Sequence, residues 1–208
     1  MGAEELVDFI NNYLHIMTKF VLDNKGTLDK YLGDSLMAFW GAPINVENQE
    51  LKACITALQM QAKIDELKNE WNLEVKTDFK IRIGINTDNV VVGNIGGNER
   101  FDYTVMGDGV NLASRLEGAN KIYGTSILIS ESTYKAVSDH VSVRIVDKVV
   151  VMGKTQPILV YELIGLQDDR KALQKIDNYS DYLKGFSAYM KGEFEEGKTH
   201  FESSISKN

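Results

Sequence analysis

Apolar positions recur at spacings of three and four from the start of the chain: Leu6, Phe9, Ile10, Tyr13, Ile16, Met17 and Phe20. This is the stripe of an amphipathic helix, and Gly26 closes it, as glycine commonly does just past a helix end. The period then shortens. Residues 27–31 and 36–40 are short apolar stretches flanking Leu32-Gly33-Asp34-Ser35, and they predict a β-hairpin turning at Gly-Asp. After the break Gly41-Ala42-Pro43, the spacing of Leu51, Ile55, Leu58 and Ala62 predicts a second helix to about Glu70.

Residues 80–85 and 90–95 read as a second hairpin around Thr87-Asp88-Asn89, residue types that tolerate the left-handed backbone of a tight turn. A third helix is expected from near Gly109 to just before Gly124. Residues 127–129 follow as a buried strand, 131–137 as a short helix, and 141–151 and 158–164 as further strands. The order predicts an α+β domain: one antiparallel-rich sheet with helices packed on it. This domain is expected over residues 1–165, with a polar, charged linker at 166–177. Over 178–208, Gly185, Gly192, Phe194, Gly197 and Phe201 put small residues where two helices would cross. That reads either as a tetratricopeptide-like helical hairpin or as a generic helical pair. A single such unit cannot bury its own apolar face, so it is expected to dock on the domain or to continue into further repeats; as an adaptor it would recruit a protein partner.

Composition narrows the function classes. With 43% hydrophobic and 25% charged residues over 208, the chain is an ordinary globular one. Its net charge of -7 excludes a broad nucleic-acid footprint, which needs a basic face, although a local Lys/Arg cluster can still hold a phosphorylated substrate. The single cysteine, Cys54, excludes an internal disulfide framework and fits the core better than a nucleophilic role. No apolar run approaches the ~18 residues of a membrane span. The expectation is a soluble, cytoplasmic chain, either alone or as the cytoplasmic part of a longer membrane-anchored protein. His15, His140 and His200 lack metal-ligand spacing, and Ser114 has no accompanying His and Asp set.

Two constellations carry chemistry. In Lys30-Tyr31-Leu32-Gly33-Asp34, the glycine permits a tight turn and leaves the Asp34 carboxylate at the tip, where a hard divalent cation could share it with phosphate. Taken alone, Gly-Asp is equally ordinary turn chemistry. In the segment 103–117, Asn111 and Arg115 lie four apart, on one face of a helix. An amide and a guanidinium so placed can grip a sugar and a phosphate, and arginine suits the spread charge of a phosphoryl transition state. An isolated Asn-x-x-x-Arg could as well be a surface pair with Glu117 or Asp108.

Read together, residues 26–43, Ile83-Gly84-Ile85-Asn86, Val91-Val92-Gly93-Asn94-Ile95-Gly96 and 103–117 resemble, in order and separation, the class III adenylate/guanylate cyclase catalytic domain. The resemblance spans about Glu4 to Ile164. It implies a ferredoxin-like cyclase sheet, head-to-tail homodimers with active sites across the interface, and two Mg²⁺ or Mn²⁺ ions per site. By the same resemblance, Asp34 is one of two metal carboxylates, Lys30 and Thr104 read the base, Asn111 orients the ribose, and Arg115 stabilises the transition state at the α-phosphate. The Lys/Thr pair belongs to one subgroup and suits adenine, so ATP is the expected substrate and cyclic AMP the product. Two departures accompany this. The family's first strand, with the other metal Asp, would precede residue 1, so the sheet is expected to be incomplete and the chain inactive alone. Met152 stands where members commonly carry a phosphate-reaching Lys; Lys154 or Lys148 could compensate. The competing expectation is a degenerate nucleotide-binding or dimerising regulatory module.

Overall fold

Three hydrogen-bonded ladders organise the computed structural model, which describes residues 2–70, 80–97, 99–150 and 157–206. Strands β1 (Thr27–Leu32) and β2 (Ser35–Phe39) form the expected first hairpin, an antiparallel ribbon with Gly33 and Asp34 at its turn. The central group has the order β3 (Ile83–Ile85), β6 (Ile127–Ser130), β8 (Ile158–Leu166), β7 (Val141–Val149), with β3 parallel to β6 and the other pairs antiparallel. The third ladder is a ribbon of β4 (Val91–Gly97) and β5 (Arg100–Met106).

This topology corrects the expected second hairpin. β3 does not pair with β4. Its Ile83 and Ile85 pack beside Ile127 and Ile129 in the core, and the Ile83 amide donates to the Ser126 carbonyl at 2.9 Å. The expected turn, Thr87-Asp88-Asn89, and Asn86 before it are held elsewhere: Asn86 Nδ2 donates to the Gly109 carbonyl at 2.9 Å, and Ser132 Oγ to the Thr87 carbonyl at 2.7 Å. β4 instead finds β5, whose alternation of Phe101, Tyr103 and Val105 is the period of a strand.

Helices cover both faces of the central group. On one side, Ile127, Ile129, Tyr161 and Leu163 meet Cys54 and Ala57 of α2 (Gln49–Glu70) and Val137 of α4 (Glu131–Val137). On the other, Leu128 and Val160 meet Leu112 and Leu116 of α3 (Asp108–Tyr123). Every residue of β6 is therefore buried, as a central strand covered on two faces requires. α1 (Ala3–Asp23) closes a third cluster, in which Met17 and Val21 pack on Met60, Ile64 and Leu67. Each such fully buried aliphatic side chain stabilises the fold by roughly 1.5–3 kcal/mol.

Where a linker was expected, α5 (Arg170–Asn178) forms, with Asp169 Oδ1 accepting from the Lys171 amide at its N-cap. It docks on β8 so closely that a Cβ on Gly165 would lie 2.6 Å from that of Ala172. α6 (Ser180–Lys191) and α7 (Phe194–Ser206) make the expected helical hairpin. A Cβ on Gly185 would meet the Phe201 ring at 2.8 Å and the Gly197 carbonyl oxygen at 3.1 Å, so small residues do mark the crossing. Among the described residues, no helix is long and apolar enough to cross a membrane.

Candidate active site

The first hairpin presents the acidic tip. Gly33 sits at φ +66°, the left-handed conformation that glycine adopts without a Cβ penalty, and Asp34 follows it exposed. The hairpin is seated on α1 by a 2.8 Å hydrogen bond between the hydroxyls of Thr18 and Tyr31. Tyr13 of α1 is close enough to feel the tip: its phenol pKa is pushed up by burial first and by the Asp34 charge second. Among the described residues no group of three His, Cys, Asp or Glu side chains assembles. A single exposed carboxylate such as that of Asp34 suits a small hard cation that draws its remaining oxygen ligands from a phosphorylated ligand, the usual habit of Mg²⁺ and Mn²⁺.

Midway along β1 the register slips, with Leu28 opposite Ala38 and Lys30 opposite Met37. Asp29 is the extra residue. A bulge of this kind re-aims a side chain, and here it sends the Asp29 carboxylate, 0% exposed, across to β5. Thr104 Oγ1 donates to Asp29 Oδ2 at 2.6 Å and the Val105 amide donates to the same oxygen at 3.2 Å. Lys30 Nζ lies 3.3 Å from the other oxygen, in ion-pair range; off the hydrogen-bonding direction, it leaves Oδ1 without a hydrogen-bond donor. The two base-reading candidates, Lys30 and Thr104, thus meet at one carboxylate. Beside them a groove of about 540 Å³ opens between β1 and β5, with Asp29 and Lys30 on one wall and Arg100, Asp102 and Tyr103 on the other. Thr104 is 7% exposed.

Asn111 and Arg115 stand on the exposed side of α3, one turn apart, while Leu112 and Leu116 bury the opposite side. The helix is fixed at both ends. Gly107, at φ +148°, lets the chain swing from β5 into α3, and Gly109 lies so near the 86–90 loop that a Cβ there would sit 2.6 Å from that of Asp88. At the far end the buried Asn120 donates through Nδ2 to the Ile83 carbonyl at 3.0 Å, and its Oδ1 accepts from Thr125 Oγ1 at 2.8 Å. Gly84 permits direct backbone contact, since a Cβ there would be 2.1 Å from the Ala113 carbonyl oxygen.

Sequence reasoning missed Asp29, Asn86 and Asn120, which position the site. Their signal was available as polar side chains interrupting apolar stretches, although nothing in the pattern named their partners. Lys148 is exposed on β7, whereas Met152 and Lys154 lie outside the described residues.

The class this fold defines is the α+β cyclase domain. The structure superposes on the adenylyl cyclase CyaB from P. aeruginosa with a TM-score of 0.73 and 36% identity, over 81% of this chain and 87% of that one. The chain belongs to the family of adenylate and guanylate cyclase catalytic domains, whose model matches residues 1–165. It is 35% identical over 165 residues to adenylate cyclase 1 of Rhizobium meliloti, covering 79% of this chain and 25% of that protein. It is 38% identical over 170 residues to adenylate cyclase of Anabaena cylindrica, covering 78% and 33%. The chain therefore spans a quarter to a third of the length of these relatives.

Proposed function

We propose that the domain converts ATP to 3′,5′-cyclic AMP and pyrophosphate at sites shared between two copies. The observation that carries this reading is the meeting of Lys30 and Thr104 at the Asp29 carboxylate, beside a groove roomy enough for a purine base. Lysine is a hydrogen-bond donor only, and a threonine hydroxyl can accept. Such a pair matches adenine, whose ring nitrogen accepts and whose amino group donates. The names of the two relatives, both adenylate cyclases, support the same substrate.

In this reading the ribose 3′-oxygen forms a bond to the α-phosphorus, the bond to the bridging oxygen breaks, and pyrophosphate leaves. Asn111 orients the ribose, and Arg115 meets the negative charge that grows on the α-phosphate oxygens. Asp34 would hold the divalent cation, which when bound would supply charge neutralisation at the phosphates and a lowered pKa for the attacking hydroxyl. Asp34 at the hairpin tip and Arg115 on α3 serve opposite halves of a two-fold pair. The exposed side chains of Val91 (69%), Phe101 (59%) and Met106 (53%) on the β4–β5 ribbon give that pairing an apolar surface.

The test is cyclic nucleotide formation from ATP or GTP with Mn²⁺, comparing the chain with Asp34→Ala and Arg115→Ala. ATP-selective product lost in both variants is the expected result. Nucleotide binding with no turnover under any condition would instead mark a regulatory, pairing-only domain, a reading that Met152 favours.

A further inference from the structure

We infer that Asp29 is a specificity-determining positioning residue: it fixes the polarity of Thr104 and holds Lys30 beside it, so that the pair presents one acceptor and one donor. The inference rests on the base-reading role proposed above for Lys30 and Thr104.

A threonine hydroxyl has one hydrogen and two lone pairs, and by rotation can donate or accept. Left free, it discriminates poorly between an amino and a carbonyl group on a purine. Thr104 is not free. Its hydrogen is committed to Asp29 Oδ2 at 2.6 Å, and the carboxylate is in turn fixed by the Val105 amide at 3.2 Å. A carboxylate cannot donate back, so Thr104 faces any ligand with lone pairs alone. The enclosure of Asp29, at 0% exposure, removes the water that could compete for that hydrogen. A single lone pair needs one approach direction, which suits a residue as covered as Thr104.

Asp29 Oδ1 works in parallel. With no hydrogen-bond donor of its own and Lys30 Nζ at 3.3 Å, it draws the ammonium toward Thr104, while the Lys30 side chain keeps 39% exposure and so remains able to reach a ligand. The bulge makes both contacts possible, because an unslipped register would aim Asp29 away from β5. Donor plus acceptor complements adenine. Guanine presents a carbonyl to the lone pairs and an N–H to the ammonium, mismatched at both positions.

Equilibrium binding with Mn²⁺ and triphosphates lacking the 3′-hydroxyl separates recognition from turnover. Two comparisons decide. The wild-type chain is expected to prefer 3′-deoxy-ATP to 3′-deoxy-GTP. It is also expected to prefer the 6-methylamino purine analogue to the equally large 6-methoxy one by about tenfold or more. Asp29→Asn, whose amide can donate to Thr104, is expected to reduce both preferences about tenfold and to cause no further loss in a Thr104→Val background, whereas the single variant Thr104→Ser, which keeps the hydroxyl, is expected to stay close to wild type. Proportional weakening of all ligands by Asp29→Asn, with both ratios intact, overturns the role of Asp29 while leaving the base-reading pair standing. Absence of any adenine preference in the wild-type chain overturns the base-reading pair and Asp29 together. If Asp29→Asn does not fold, the wild-type methylamino/methoxy pair decides: equal binding refutes a fixed acceptor, and a tenfold preference upholds it.

Discussion

Arg144 of β7 lies with its guanidinium 2.7 Å from the buried carboxylate of Glu162 on β8, and its other contacts reach beyond the sheet. The same guanidinium stacks 4.2 Å from the centre of the Tyr179 ring and 5.0 Å from that of Tyr182. Lys175 of α5 reaches the second oxygen of Glu162 at 3.4 Å, and Tyr182 donates to the Val146 carbonyl at 3.1 Å. The Arg144–Glu162 pair therefore ties α5, through Lys175, and the start of α6, through Tyr179 and Tyr182, to the sheet. Arg144→Ala leaves the Glu162 carboxylate with Lys175 as its remaining ion-pair partner, and is expected to cost about 1–3 kcal/mol, less than the usual ~3–5 kcal/mol loss when a buried pair is broken outright. Arg144→Lys keeps the charge but not the planar stack, and should recover part of that loss. Denaturant melts with a fluorescence probe near Tyr179 check both. Equal stability of the two variants and the wild type would show that the helices dock by other contacts.

The α3–β3 contact predicts a second class of failure. A Cβ at Gly84 would be 2.1 Å from the Ala113 carbonyl oxygen and 2.3 Å from the Glu117 amide nitrogen. Both are helix backbone, which cannot rotate aside. Gly84→Ala is therefore expected to push α3 outward, costing on the order of 1–3 kcal/mol as an overpacked core does. Because Asn111 and Arg115 ride on that helix, activity should fall further than stability alone explains. Measuring both on one preparation checks this, and a variant that loses stability without extra loss of turnover would argue against α3 as a rigid platform.

Local pattern made the first hairpin, the stripe of α1, the bounds of α4 and the crossing of α6 and α7 readable before any coordinates. These depend on turn chemistry and on helical or strand period, which the chain states locally. Pairing does not. β3 and β4 lie next to each other in sequence with turn residues between them, yet Asn86 and Thr87 spend their hydrogen-bonding groups on α3 and α4. Asp29 shows the same limit at the site. Its aim depends on a one-residue slip against β2 and on a partner 75 positions later. Lys30, Asp34, Thr104, Asn111 and Arg115 could be singled out because their residue types suit nucleotide chemistry in recognisable segments. The groups that orient them act through tertiary contacts that no spacing rule contains.

Arg115 and Asp34 are both exposed, so their removal should separate chemistry from folding. Arg115→Ala is expected to lower kcat about 10²–10³-fold, as loss of one transition-state donor does, with stability changed by less than about 1 kcal/mol. KM for ATP should move far less than kcat. Asp34→Asn should abolish Mn²⁺-dependent turnover while leaving the thermal transition in place, because residues 31–35 of the hairpin are exposed. A KM effect larger than the kcat effect for Arg115→Ala would reassign that residue to ground-state binding.

Cys54 supplies a pH-dependent prediction. Its side chain is fully buried between α2 and the central sheet, and burial, with the Glu50 charge second, pushes the thiol up to about 12. The unfolded chain releases that proton near the ordinary thiol value of about 8.5. A group whose folded pKa is raised contributes stability that is whole below the unfolded value and is lost as pH rises toward the folded one. Stability should therefore decline between about pH 9 and 12, with part of the slope removed in Cys54→Ala, a variant that also carries a small cavity cost. Thiol-specific labelling gives the independent check. Native protein at pH 8 should label only at the rate of global opening, in step with denaturant-induced unfolding. Rapid labelling of native protein would mean that the α2–sheet interface opens locally, and the part of the pH slope that Cys54→Ala removes should then shrink.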